Sequence, residues 1–326
     1  MCDKRLTKIT LSALFFFLYL FADCLLLPAE ASEYPLKNKS INTYTVDYID
    51  KAGELIISLP EQEHILYFSD DLALMQKDGK LVYIDRTGKA ILEPAKYYSN
   101  AGPFAEGLAA VRLALAWGYI NKDGDAVIKP LFRAVGLFHE GLAAVQPGAA
   151  GWGYINKKGR LVVPADYQKV KAFSEGLAPV MPIEKLHGWG YINTKAELVI
   201  EPQYSEAESF SEGLAAVKVA DNQWGYIEQK GNLTIPAKYQ GAKPFSDGLA
   251  AVQINGRWGY IDKNGMQVVG CRYSAVHSFA DGRAAVYLYD RWGFINREGK
   301  MVVPAKYLAV ADFYKGFAGV IGESQE

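Results

Sequence analysis

The sequence predicts an all-β protein, a tandem array of about eight three-stranded antiparallel repeats of about 35 residues each. Three observations lead there. The phrase Trp-Gly-Tyr-Ile, first met at Trp117, returns at Trp152, Trp189, Trp224, Trp258 and, with Phe for Tyr, at Trp292. All 6 tryptophans head such a phrase, at spacings of 35, 37, 35, 34 and 34 residues, and a fixed period of this size marks a repeat architecture. The segments between turns are short, apolar or alternating, bounded by Gly or Pro, and show no helical period. The repeat overrides the two-domain prior that 326 residues would suggest, because stacked units share one core.

The N-terminus has a different composition. Lys4, Arg5 and Lys8 precede an apolar run over residues 9–22, and Pro28-Ala29-Glu30-Ala31 offers a small-residue cleavage site. Residues 1–31 therefore read as a secretory signal peptide, so the expected location is secreted, periplasmic or cell-envelope. The alternative is an uncleaved membrane anchor, because Leu25-Leu26-Leu27 extends the apolar stretch. Residues 32–43 are a polar linker, residues 44–322 the array, and residues 323–326 a tail. Cys2 and Cys24 fall in the signal, which leaves Cys271 alone as small buried filler.

The array opens with two worn copies, at Val46 and Leu81, as expected of terminal repeats that lack one neighbour. A full unit reads Phe245-Ser246-Asp247-Gly248, then Leu249-Ala250-Ala251-Val252, then Trp258-Gly259-Tyr260-Ile261, a turn ending in Gly265, and Met266-Gln267-Val268-Val269. The Gly ending each such turn fits a left-handed position. Ala196 takes that place in one copy, at a cost of about 1 kcal/mol if the backbone is kept. Most copies close the third strand with Pro, which ends the strand or marks an edge; Gly270 replaces it once.

Phe-Ser-Glu-Gly-Leu-Ala-Ala-Val, then Trp-Gly-Tyr-Ile-Asn-Lys-Lys-Gly, then Val-Val-Pro-Ala resembles the WG repeat of bacterial proteins, from Val46 to about Val320. The resemblance implies an all-β repeat protein for binding or scaffolding, with no catalytic residues to carry over. Departures are the first two copies, Gly270, Ala196, and Lys315 in place of the usual acid. The units are expected to form an open curved stack. The alternative is a closed propeller-like ring, in which Val46 and the final strand near Phe317 would share a unit and protect both edges.

Trp117, Trp152, Trp189, Trp224, Trp258 and Trp292 are expected to be structural, because a residue repeated in every copy makes the unit-to-unit contact. The competing reading is an aromatic ladder for sugars or cations. The acids before the repeated Gly (Glu106, Glu140, Glu175, Glu212, Asp247, Asp281) are equivalent in all copies, which suggests local turn hydrogen bonds. Four scattered histidines show no ligand spacing, and no nucleotide, nucleophile or Cys-x-x-Cys motif occurs. No catalytic residue, metal or cofactor is expected. A net charge of -1 gives no footprint for nucleic acid.

Spacing places the candidate site. Trp to the next Phe is always 21 residues, whereas the Gly-to-Trp stretch runs 10 in one copy, 11 in the next and 13 in the third. Variable loops gather on one face, which is often the binding one. The candidate rim residues are Pro182, Glu184, Lys185, His187, Asp221, Asn222, Arg257, Asp290 and Arg291. The expected function is an exported, non-enzymatic binding or scaffold protein for a protein or cell-envelope glycan. A membrane is a partner only if the N-terminal segment stays uncleaved. The alternatives are an envelope-polymer hydrolase using Glu184, Asp221 and Asp290, or a spacer without a ligand.

Overall fold

The computed structural model describes residues 44–59, 64–77, 80–85, 89–95, 98–149, 151–184 and 188–323. The expected signal peptide and linker lie outside the described residues. Every regular element described is a β-strand. The strands form seven antiparallel sheets, six of four strands and one of seven. In the seven-stranded sheet, Leu161–Val170 pairs first with Trp152–Asn156 and then with Leu177–Pro182, so it serves two units. Divided at that strand, the array is eight four-stranded blades.

Each blade thus has one strand more than the three expected from sequence. The fourth is only two residues long in most blades, for example Ala134–Val135, Gly241–Ala242 and Ala275–Val276, and it pairs with the first strand of its blade. Two residues carry no alternation to read, so pattern alone misses them.

The paired alanines follow from burial on both faces. Ala250 packs with Trp224 and Tyr226 of the preceding blade, whereas Ala251 packs with Tyr260 and with Phe279 of the following one. A strand sandwiched between two neighbours reads as a continuous apolar run, and its side chains must be small where large rings arrive from both sides. The same clusters place Trp and Tyr on one face of the second strand and Ile on the other, as period two requires.

Tyr44–Asp50 pairs along its whole length with Phe317–Glu323, from Tyr44 opposite Glu323 to Asp50 opposite Phe317. The two ends of the array therefore build one blade together, in the order Leu55–Leu59, Tyr44–Asp50, Phe317–Glu323, Ala309–Val310. Of the two arrangements the sequence allows, the closed ring forms. An open stack would leave an unpaired strand at each end, a template for unwanted pairing.

The third strand is the outer edge of most blades, and the closing Pro lies inside it. Trp224 pairs with Tyr239 and Tyr226 with Ile235, so Gly225 alone on one strand faces Pro236, Ala237 and Lys238 on the other. Pro236 sits in that bulge, where its missing N–H costs nothing and blocks pairing from outside. At Gly270, the equivalent position, an added Cβ meets nothing within 4 Å. Gly270→Pro is expected to stabilise the protein by about 0.5 to 1 kcal/mol, read as a higher urea midpoint at unchanged slope. Ala196 does keep the left-handed turn, at φ 65°, with Asn193 Oδ1 accepting the N–H groups of Lys195 and Glu197.

Candidate functional site

Because successive strands alternate in direction, each face of the ring receives its own set of loops. One face carries the tips joining first and second strands. The other carries the turns joining second and third strands, together with the acid–Gly turns that lead into the first.

The turn face is a girdle of hydrogen bonds between blades. Asp70 accepts the N–H of Gly107, Glu106 that of Gly141, Glu140 that of Gly176, and Glu175 that of Gly213. Glu212, Asp247 and Asp281 do the same for Gly248, Gly282 and Gly316. The acids are structural, but the bonds are not local: each reaches one repeat ahead. The physical reason is that the acid is itself left-handed, at φ 50° in Glu106 and 55° in Glu175, which turns its side chain outward to the next blade. A cation reaches back as well, Lys157 to Glu106 at 3.0 Å and Lys263 to Glu212 at 3.2 Å. Burial raises the Glu106 pKa, but the Lys157 hydrogen bond and the Gly141 N–H outweigh it and hold the carboxyl below its ordinary value.

The Trp-Gly-Tyr-Ile phrase is core. Trp117 is 3% exposed, and Trp189 and Trp224 are also buried; Trp152, Trp258 and Trp292 are half-buried. The Tyr of each phrase from Trp117 to Trp258 donates to a backbone carbonyl of the next blade, as Tyr119 to Gly136 at 2.6 Å and Tyr226 to Lys243 at 2.9 Å. The ring then meets a Phe edge-on or tilted, Tyr226 on Phe245 at 4.9 Å. The pair thus joins burial to a satisfied hydroxyl.

The tip face holds the expected rim. Pro182 ends Leu177–Pro182 opposite Tyr167, and Glu184 is exposed just beyond it. Lys185 and His187 lie outside the described residues. Asp221 and Asn222 are the two-residue link of the next tip, with Asp221 3.9 Å from Lys218 of its own hairpin. Arg257 donates to Ser274 Oγ at 2.6 Å, and Arg291 to the Asp290 carbonyl at 3.0 Å. The residues share one face but stand on four separate blades. Glu184, Asp221 and Asp290 are thus on three different tips rather than in one pocket.

Apolar tips went unnoticed in the sequence. Leu113, Leu115, Ile183, Val219, Ile254 and Tyr289 all project at or beside tips, Leu115 81% exposed and Tyr289 90%. Tyr289 and Asp290 form a two-residue link with φ of 51° and 61°, where the preceding blade uses Asn255-Gly256 at 50° and 71°. Asn-Gly is the preferred pair for such a link, and a bulky residue there is strained. Next to Leu113, Arg112 lies over the Trp117 ring with its Nε buried and unpartnered among the described residues.

The model of the WG containing repeat matches residues 48–80, 83–114, 117–146, 152–181, 189–222, 224–258, 258–291 and 292–321. The chain belongs to the WG-repeat family. No curated protein matches it significantly. Among solved structures, this WG-repeat protein is similar to the computationally designed Ika8 protein, with a TM-score of 0.53 at 12% identity over 80% of this chain and 96% of that one. BamB from Moraxella catarrhalis aligns at a TM-score of 0.45 and 12% identity, covering 83% and 88%. At such identities the Ika8 likeness concerns the fold alone. Among the described residues of the WG-repeat ring, no group of three or more His, Cys, Asp or Glu is placed to hold a metal ion, and no helix is long and apolar enough to cross a membrane.

Proposed function

We propose that this chain is an exported, non-enzymatic binding or scaffold protein that holds a protein partner on its tip face. The observation that carries the reading is Tyr289, fully displayed on a link whose backbone it strains. Strain kept at an exposed position, where Asn-Gly would relieve it, is the pattern of a residue retained for contact. Exposed Leu115, Ile183, Val219 and Ile254 on other tips extend the apolar contact around the ring. A protein is favoured over a glycan because the exposed tip residues named besides Tyr289 are aliphatic, whereas sugars stack on open aromatic faces, and the tryptophans are at least half-buried. Export rests on Lys4, Arg5, Lys8 and the apolar run that follows.

Replacing Tyr289-Asp290 by Asn-Gly is expected to raise stability by up to about 1 kcal/mol. Combined with Leu115→Asn, it should lower capture of envelope proteins roughly tenfold. Met266→Asp, in a turn on the opposite face, serves as the control and should leave capture intact. Capture that survives the tip variant, or a glycan array that responds while proteins do not, sinks the reading.

A further inference from the structure

The repeat pattern breaks at three positions that ring closure brings to the flanks of one blade, the one shared by the chain ends. Lys315 stands where seven other units have an acid, and Asp71 where seven others have Gly. Arg283 stands where other copies begin the first strand with Leu, such as Leu142 and Leu249. Seven seams between blades are made by an acid accepting a Gly N–H from the next blade. At the eighth, between the blade shared by the chain ends and the blade of Leu72–Lys77, the Lys315 ammonium pairs with the Asp71 carboxylate instead. On the other flank of the shared blade, Arg283 Nε donates to the Lys51 carbonyl at 3.1 Å. Asp71 holds φ 67°, a conformation for which Gly is preferred, so its side chain is kept at a conformational cost.

We propose that Lys315 and Asp71 form a ring-closing latch with a code distinct from every internal seam. A carboxylate from any other blade, brought against the Asp71 position, meets a second carboxylate. Lys315, brought against any Gly N–H, meets a donor rather than an acceptor. Only the last blade matches the first, so the pair selects closure after eight blades over closure after fewer. The pair is exposed, Lys315 41% and Asp71 66%, so it adds little stability and responds to salt. Its work is discrimination, by a repulsion placed against wrong seams as much as by the attraction in the right one.

Hydrogen exchange on the full chain tests this, comparing the amides of Tyr44–Asp50 and Phe317–Glu323 with those of the central blades. Lys315→Glu faces Asp71 with a like charge. At low salt it is expected to raise exchange in both closing strands roughly fivefold and leave central blades unchanged. Added salt should narrow that difference. The double variant Lys315→Glu with Asp71→Gly rebuilds the acid–Gly bond and should return exchange to within about twofold of the starting protein. Exchange that does not change in Lys315→Glu, rises equally in all blades, or stays high in the double variant overturns the latch. Should Lys315→Glu not fold, Lys315→Gln decides: the salt dependence of closing-strand exchange seen in the unaltered chain should weaken in it while that of the central blades is unchanged, and an unaltered salt dependence in the closing strands overturns the proposal.

Discussion

Raised past pH 10, the ring is expected to unfold within about two pH units. Burial pushes the hydroxyls of Tyr154, Tyr191, Tyr226 and Tyr260 well above the usual tyrosine value, and that of Tyr83 up as well. Tyr48, in the closing blade, is pushed up to about 12 by the same cause. A folded-state value above the unfolded one means that the native state holds its proton longer. Below pH 10 both states are protonated and the stability is complete; above it, unfolding releases protons and stability falls until the folded values are reached. Each such tyrosine contributes up to about 1.4 kcal/mol per pH unit. Six acting together would remove about 8 kcal/mol per unit, against a total stability of about 5 to 15 kcal/mol. Tyrosinate absorbance and far-ultraviolet circular dichroism should change together in one steep step. A gradual tyrosinate signal with unchanged dichroism would mean that these hydroxyls are not held in the core.

Gly153→Ala is expected to cost about 3 kcal/mol, the upper part of the range for overpacking. A Cβ at Gly153 would lie 2.4 Å from the Val163 carbonyl oxygen and 2.9 Å from Pro164. Those are backbone atoms of the bulged third strand, which cannot rotate away as a side chain would. The close approach recurs at Gly190 and Gly259, where Ile200 and Val269 oxygens would be 2.5 Å away. The glycine of the phrase is therefore required by the bulge crossing over it, not by its own dihedral angle. Gly148→Ala, where nothing lies within 4 Å, is the control and should stay within about 0.5 kcal/mol. Urea midpoints measured side by side would refute the explanation if the two substitutions cost the same.

Much of this was legible before any coordinates. The 21-residue run from Trp224 to Phe245 is constant because Tyr226 must donate to Lys243 and its ring must meet Phe245. Contacts fixed in length leave fixed spacing. The hairpin registers put Asp221, Asn222, Asp290 and Arg291 at the strand ends of one face, where loop length varies because nothing packs. Cys271 proved half-buried, with burial pushing its thiol pKa up, which fits filler rather than a reactive group. The apolar tips were missed for a different reason: Leu115 and Tyr289 look like strand residues until their exposure is known.

By itself the sequence determined the repeat period, three strands of each unit with the turns between them, and the core face, since all of these are local or repeat at one period. The tertiary structure alone decided which partners lie across the seams. It showed that the acid before each Gly serves the next blade, that a fourth strand, two residues long in most blades, completes each sheet, and that Tyr44–Asp50 closes on Phe317–Glu323. Pairings of that kind join residues one repeat or nearly the whole chain apart. Periodicity cannot distinguish an acid bonded within its own turn from one bonded 35 residues ahead, because both recur identically in every copy.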